Sequence, residues 1–140
     1  NGENEYHLKL KKVAEKYPNK FWLNLTYNPK LSRNIIAASD IFLMPSRYEP
    51  CGLTQMAALR YGAVVVAHKT GGLNDTIENG KTGFLFDDYS GQALFEKLNK
   101  AVDLYHNRPK WEDIMINCMN ANFSWEKSVE EYIKVYRELI

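Results

Sequence analysis

The five residues Ala63-Val64-Val65-Val66-Ala67 form a run with no polar position, three of them β-branched. Successive side chains of a strand point to opposite faces, so this run must be covered on both sides. A central strand of a parallel sheet, with helices packed on each face, meets that demand. Gly62 in front of it ends a helical segment, and His68-Lys69-Thr70-Gly71-Gly72 behind it leads the chain out of the sheet.

The flanking segments have the alternation such a sheet requires. Tyr6, Leu10, Val13, Ala14 and Tyr17 recur at helical spacing and Pro18-Asn19 ends the segment; this predicts an amphipathic helix. Phe21 to Thr26 is expected to be a strand, Arg33 to Ala38 a short helix that Ser32 can cap, and Asp40 to Met44 a buried strand stopped by Pro45. Leu53 to Tyr61 is predicted to be a helix, Asn74 to Glu78 another, and Phe84-Leu85-Phe86 a fourth short strand after the turn Asn79 to Gly83. Three helices follow: a stripe through Leu94, Leu98, Ala101, Val102 and Tyr105, then Trp111 to Asn122, then Trp125, Val129, Tyr132, Ile133, Tyr136 and Ile140. That last stripe is most simply a packing face. Strands separated by helices imply right-handed crossovers, a parallel α/β sheet, and a site at the carboxyl ends of its strands.

Composition narrows the partners. Eighteen Lys and Arg against 17 Asp and Glu leave no excess charge for a nucleic acid or an anionic membrane. No segment approaches the roughly 20 apolar residues of a membrane span, and Asn1-Gly2-Glu3-Asn4-Glu5 lacks the features of a signal peptide. An intracellular protein is expected. Cys51 and Cys118 form no CxxC, and His7, His68 and His106 do not fall at metal-ligand spacing; neither zinc nor a disulfide is indicated, and no cofactor is expected.

Chemistry concentrates in two loops that should open on one edge of the sheet. In Ser46-Arg47-Tyr48-Glu49-Pro50-Cys51-Gly52-Leu53-Thr54-Gln55, Pro50 stiffens the chain and Gly52 removes a side chain where a ligand can touch backbone. The start of the Leu53 helix then offers free N–H groups and the Thr54 hydroxyl, an anion cradle. Taken alone, the Pro-x-Gly pattern is commoner in an ordinary strand-to-helix turn. Glu49 stands where a carboxylate would repel a diphosphate but could accept hydrogen bonds from sugar hydroxyls; without context an exposed loop Glu is as good a reading. Lys69 can supply a point charge and Gly71-Gly72 a close backbone approach, although a loop Lys is more often simply solvated. Cys51 beside a helix start is more commonly a small packing residue than a nucleophile. Tyr27, before Asn28-Pro29, can stack on a planar base or pack as a rim aromatic.

Together with Lys69 to Asp75, Ala38-Ser39-Asp40, Thr82-Gly83-Phe84 and Phe123-Ser124-Trp125, the Ser46 to Gln55 stretch resembles the carboxyl-terminal half of glycosyltransferase family 5, the bacterial glycogen synthases and plant starch synthases. The likeness covers nearly the whole chain. It implies a Rossmann-like parallel sheet with flanking helices, one half of a GT-B enzyme without catalytic metal. The implied reaction transfers glucose, with retention, from ADP-glucose or UDP-glucose to the non-reducing end of an α-1,4-glucan. Attack on the same face would be assisted by the departing phosphate, with no covalent enzyme intermediate. By the same resemblance Glu49 contacts the donor glucose, Cys51, Gly52, Leu53 and Thr54 hold glucose and diphosphate largely through backbone, Tyr27 stacks on the base, and Lys69, Thr70 and Gly71 line the neighbouring wall. A bacterial cytoplasm or a plastid is the implied compartment.

Two departures qualify the resemblance. Many retaining GT-B enzymes carry a second Glu eight positions after the first, and here that position is Ala57; this favours the glycogen and starch synthase branch over transferases making sucrose, trehalose or glycolipid. The family's upstream Arg and Lys, its first strands, and the amino-terminal domain with the acceptor site are not in these 140 residues. The chain is therefore expected to be a partial donor-binding domain, residues 1–140, inactive alone, whose final helix near 125–140 packs toward that other domain. A non-catalytic nucleotide-sugar or glucan binding module is the alternative.

Overall fold

A computed structural model describes residues 4–139, which fall into two compact units divided between Ser32 and Arg33. In the first, helix α1 (Asn4–Lys16) forms where the apolar spacing predicts it, with Glu5 and Lys9 paired at 2.6 Å one turn apart. That pairing holds the Glu5 carboxyl below its usual range and the Lys9 ammonium above its own, chiefly through their mutual hydrogen bond. None of its residues is buried.

The expected strand at Phe21 to Thr26 does not form. The Asn24 carboxamide oxygen accepts from both the Thr26 N–H, at 3.0 Å, and the Thr26 hydroxyl, at 2.6 Å, which bends the backbone in an Asx turn. Among the described residues no strand pairs with this segment. Helix α2 (Pro29–Ala38) also starts earlier than expected. Asn28, rather than Ser32, accepts from the N–H three residues on, Leu31, and Pro29 occupies the first helical position where a missing N–H costs nothing.

The second unit is a three-layer sandwich. Strands β1 (Ile41–Met44), β2 (Val64–His68) and β3 (Gly83–Phe86) form one parallel sheet in that spatial order, with Ile41 opposite Val64 and Val65 opposite Gly83. Among the described residues the sheet therefore has three strands, not four. The valine run is its central strand, and Val64 to Ala67 are fully buried. Helices α3 (Thr54–Arg60), α4 (Gly71–Thr76), α5 (Gly91–Tyr105) and α6 (Arg108–Asn120) supply the covering layers. α3 ends in a Schellman motif: Ala63 N–H bonds Ala58 O and Gly62 N–H bonds Leu59 O, with Gly62 at φ 81°.

Ala58, Leu59, Leu73, Ile77, Phe84, Leu85, Ala101 and Trp111 close around the central strand. Each large apolar side chain removed from water contributes roughly 1.5 to 3 kcal/mol, so this cluster outweighs any single polar contact in the unit. Ser90 and Asn107 cap α5 and α6 through their side chains. Cys118 on α6 is buried and its thiol donates to Thr82 O at 3.1 Å; burial pushes that thiol up to about 12.

Helix α7 (Trp125–Glu138) begins at the Ser124 cap, as the sequence suggests, yet buries none of its residues. Its apolar stripe is uncovered, with Trp125 81% exposed. Ile140, the predicted end of that stripe, lies outside the described residues. Among the described residues no helix is long and apolar enough to cross a membrane.

Candidate functional site

The carboxyl ends of β1 and β2 open into the two loops singled out by the sequence, and the loops are docked on each other. Gly72 N–H donates to Glu49 O at 3.0 Å. A Cβ at Gly72 would stand 1.8 Å from the Cys51 carbonyl oxygen, and one at Gly71 would stand 2.0 Å from Glu49 O. The glycine pair is thus the contact surface between loops, where no side chain fits. The side on which a Cβ would stand is occupied at both glycines by backbone of the first loop. The pair also starts α4 at Gly71, ahead of the expected Asn74, because the glycines form the helix's first turn.

Gln55 locks this junction from below. It is fully buried, and its Nε2 lies 2.6 Å from Gly52 O, 3.2 Å from Cys51 O and 3.1 Å from the Thr76 hydroxyl, which itself donates to Gly72 O at 2.6 Å. Gly52 takes φ 69°, and any side chain there would strike the Gln55 amide. One carboxamide therefore ties the first loop, α3 and α4 together. Sequence reasoning gave Gln55 no role. The available signal was a polar amide on the buried stripe Gln55, Ala58, Leu59, at spacing i, i+3, i+4.

Around the junction the predicted residues of the second unit gather on one sheet edge. Glu49 is half-buried, Cys51, Leu53 and Thr54 are exposed, and Thr70 precedes α4 in extended conformation. Among the described residues no partner is found for the N–H groups of Gly52, Leu53 and Thr54. They remain available as donors. Lys69 Nζ lies 3.3 Å from the Asp87 carboxylate, with both side chains substantially solvated, so the pair is weak and the ammonium can exchange partners. Tyr27 belongs to the first unit, where the residue is 95% exposed.

A groove of ≈ 750 Å³ runs beside the first loop, lined by Cys51, Leu53, Met56, Phe123, Trp125 and Tyr132 among others. Among the described residues no three His, Cys, Asp or Glu side chains gather in a metal-holding group. A third loop, after β3, also reaches this edge and was not anticipated: Asp87 meets Lys69, and Arg47 of the first loop lies over the Tyr89 ring at 5.7 Å.

The parallel sheet with flanking helices has the fold of a GT-B glycosyltransferase domain. The family described as "Glycosyl transferases group 1" matches residues 1–117, and the chain belongs to it. Within that family it is similar to the proteins named glycogen synthase: 46% identical to that of Kosmotoga olearia over 99% of this chain and 30% of the relative, and 42% identical to that of Koribacter versatilis over 98% and 30%. Among solved structures it resembles the catalytic domain of starch synthase IV from Arabidopsis thaliana bound to ADP and acarbose, with a TM-score of 0.81 and 34% identity over 97% of this chain and 30% of that one. The chain spans about 30% of the length of these curated relatives.

Proposed function

We propose that this chain is the donor-binding part of a retaining glucosyltransferase that moves glucose from ADP-glucose or UDP-glucose to the non-reducing end of an α-1,4-glucan. The observation that carries this reading is the Gly72 N–H···Glu49 O bond, which brings Glu49, Cys51 to Thr54 and Lys69 to Gly71 onto one edge of the sheet. The 46% identity to a glycogen synthase and the resemblance to a starch synthase bound to ADP and acarbose support it.

In this reading the Glu49 carboxylate accepts hydrogen bonds from the donor glucose and orients it. The free N–H groups of Gly52, Leu53 and Thr54 donate to the diphosphate, and Lys69 leaves Asp87 to neutralise the departing phosphate. Thr70 and Gly71 line the adjoining wall, and Tyr27 stacks on the nucleotide base. The exposed stripe of α7 faces the remainder of the enzyme, which supplies the glucan site and further cations. The 140 residues alone then turn over no donor, and ADP release from ADP-glucose with glycogen stays at the blank.

The test is glucose incorporation into glycogen by the full-length protein carrying Glu49→Ala. Loss of one charge-assisted sugar contact made in the transition state should lower the rate by about tenfold or more. A rate near wild type removes Glu49 from the site. Binding of ADP-glucose without any transfer by the full-length wild type replaces this reading with that of a binding module.

A further inference from the structure

Three loops leave the carboxyl end of the sheet, and one side chain reaches the other two from the third. His68 is the last residue of β2. Its Nδ1 lies 2.9 Å from Ser46 O, in the loop after β1, and its Nε2 lies 3.2 Å from Asp87 O, in the loop after β3. Carbonyl oxygens only accept, so the ring N–H donates to Ser46 O in the Nδ1–H tautomer and to Asp87 O in the Nε2–H tautomer, with the other carbonyl in contact across the ring. Phe86 and Tyr89 hold the imidazole from the β3 side, with ring centroids at 5.5 and 5.2 Å.

The next residue continues the stitching. Lys69 N–H donates to Phe86 O at 2.9 Å, and its ammonium faces the Asp87 carboxylate. Arg47, one residue after Ser46, lies over the Tyr89 ring and bridges the first and third loops a second time. His68 itself stands at the rim of the core, half-buried where Val64 to Ala67 are fully buried. Its polar contacts therefore serve the loops.

We propose that His68 is a positioning residue of the donor site: it clasps the Ser46 and Asp87 carbonyls together, fixes the loop that carries Glu49 and Cys51, and makes the 87–90 loop the site's third wall. The clasp acts through Ser46, three residues before Glu49, without touching the donor. Its consequence for transfer rests on the glucosyltransferase reading above, whereas the clasp itself rests on geometry alone.

Both parts are tested in the full-length protein with His68→Ala and His68→Gln, whose amide keeps a donor in place of the ring. Hydrogen exchange of peptides covering 45–50 and 86–90 is expected to quicken about tenfold in both loops in H68A, while residues 97–105 stay protected; H68Q recovers part of the protection in both. In transfer from ADP-glucose to glycogen, H68A should raise KM for the donor about tenfold and leave KM for glycogen within roughly twofold, with H68Q between. Faster exchange in only one loop, or in neither, overturns the clasp. Donor and glycogen KM rising together, with no recovery in H68Q, overturns the positioning role. A wild-type protein that transfers no sugar defeats the glucosyltransferase reading and with it the positioning role, and the exchange data still decide the clasp.

Discussion

Substituting Gly72 by Ala isolates the docking of the two loops from every other property of the site. Gly72 has no positive φ, so alanine meets no backbone strain there, unlike Gly71 at φ 42°. What it meets is the first loop: the new methyl would stand 1.8 Å from the Cys51 carbonyl oxygen, 2.4 Å from its carbon and 2.6 Å from its Cα. Real contacts of this kind stay beyond 3.0 Å, so the Cys51 peptide must retreat by at least about 1 Å. That distance breaks the Gly72 N–H···Glu49 O bond and loosens Gln55 Nε2 from Cys51 O. Overpacking of this kind costs about 1 to 3 kcal/mol and each lost hydrogen bond about 1 kcal/mol, so G72A should lose roughly 2 to 4 kcal/mol. A 1 Å displacement of positioning groups can cost about a hundredfold in rate, which sets the expected loss in glucose transfer. Gly91→Ala is the control, because nothing lies within 4 Å of its added methyl and the residue opens α5; it should be within about 0.5 kcal/mol of wild type and fully active. Urea midpoints and transfer rates of the two full-length variants decide the matter. G72A with wild-type stability and a rate within threefold of wild type would refute the docked-loop geometry.

Gln55→Leu fills similar space but leaves the Cys51 and Gly52 carbonyls and the Thr76 hydroxyl without their donor; about 1 to 3 kcal/mol of stability should be lost, measured by urea denaturation, and donor affinity should fall with it. For Cys118, the buried thiol is raised from its usual 9.0 to about 12 and holds its proton after the unfolded chain has lost it. Stability is thus fully present below pH 9 and declines as pH rises toward 12, by no more than about tenfold in the folding equilibrium per pH unit. Urea midpoints at pH 8 to 10.5 should fall more steeply for wild type than for Cys118→Ala, and native protein at pH 8 should present Cys51 but not Cys118 to a thiol reagent.

The sequence made the sheet legible where composition alone forces the outcome, as in the valine run, the Pro45 stop of β1 and the Gly62 stop of α3. It misjudged Phe21 to Thr26 because apolar content there resembles a strand while a single side chain, Asn24, bends the backbone. The two loops were found, but their docking through Gly71-Gly72 was not, since a glycine gives no sign of which backbone lies against it. What Gln55 and His68 hold was invisible for a related reason. Their partners Thr76, Ser46 and Asp87 stand 21, 22 and 19 positions away, and periodicity reports only near neighbours.

Helix α7 has a further consequence. A 14-residue helix is marginal in water, and this one has no buried side chain to hold it. What remains local is the Ser124 cap, worth about 1 kcal/mol, a solvated Lys134–Glu131 pair, and Arg137 in the last turn. Such a segment coils or uncoils with whatever covers Trp125, Tyr132 and Tyr136, so its helix content reports contact with another surface in a way that the rigid sheet behind it does not. Spectroscopy of those three aromatics would follow the covering of α7 from within this chain.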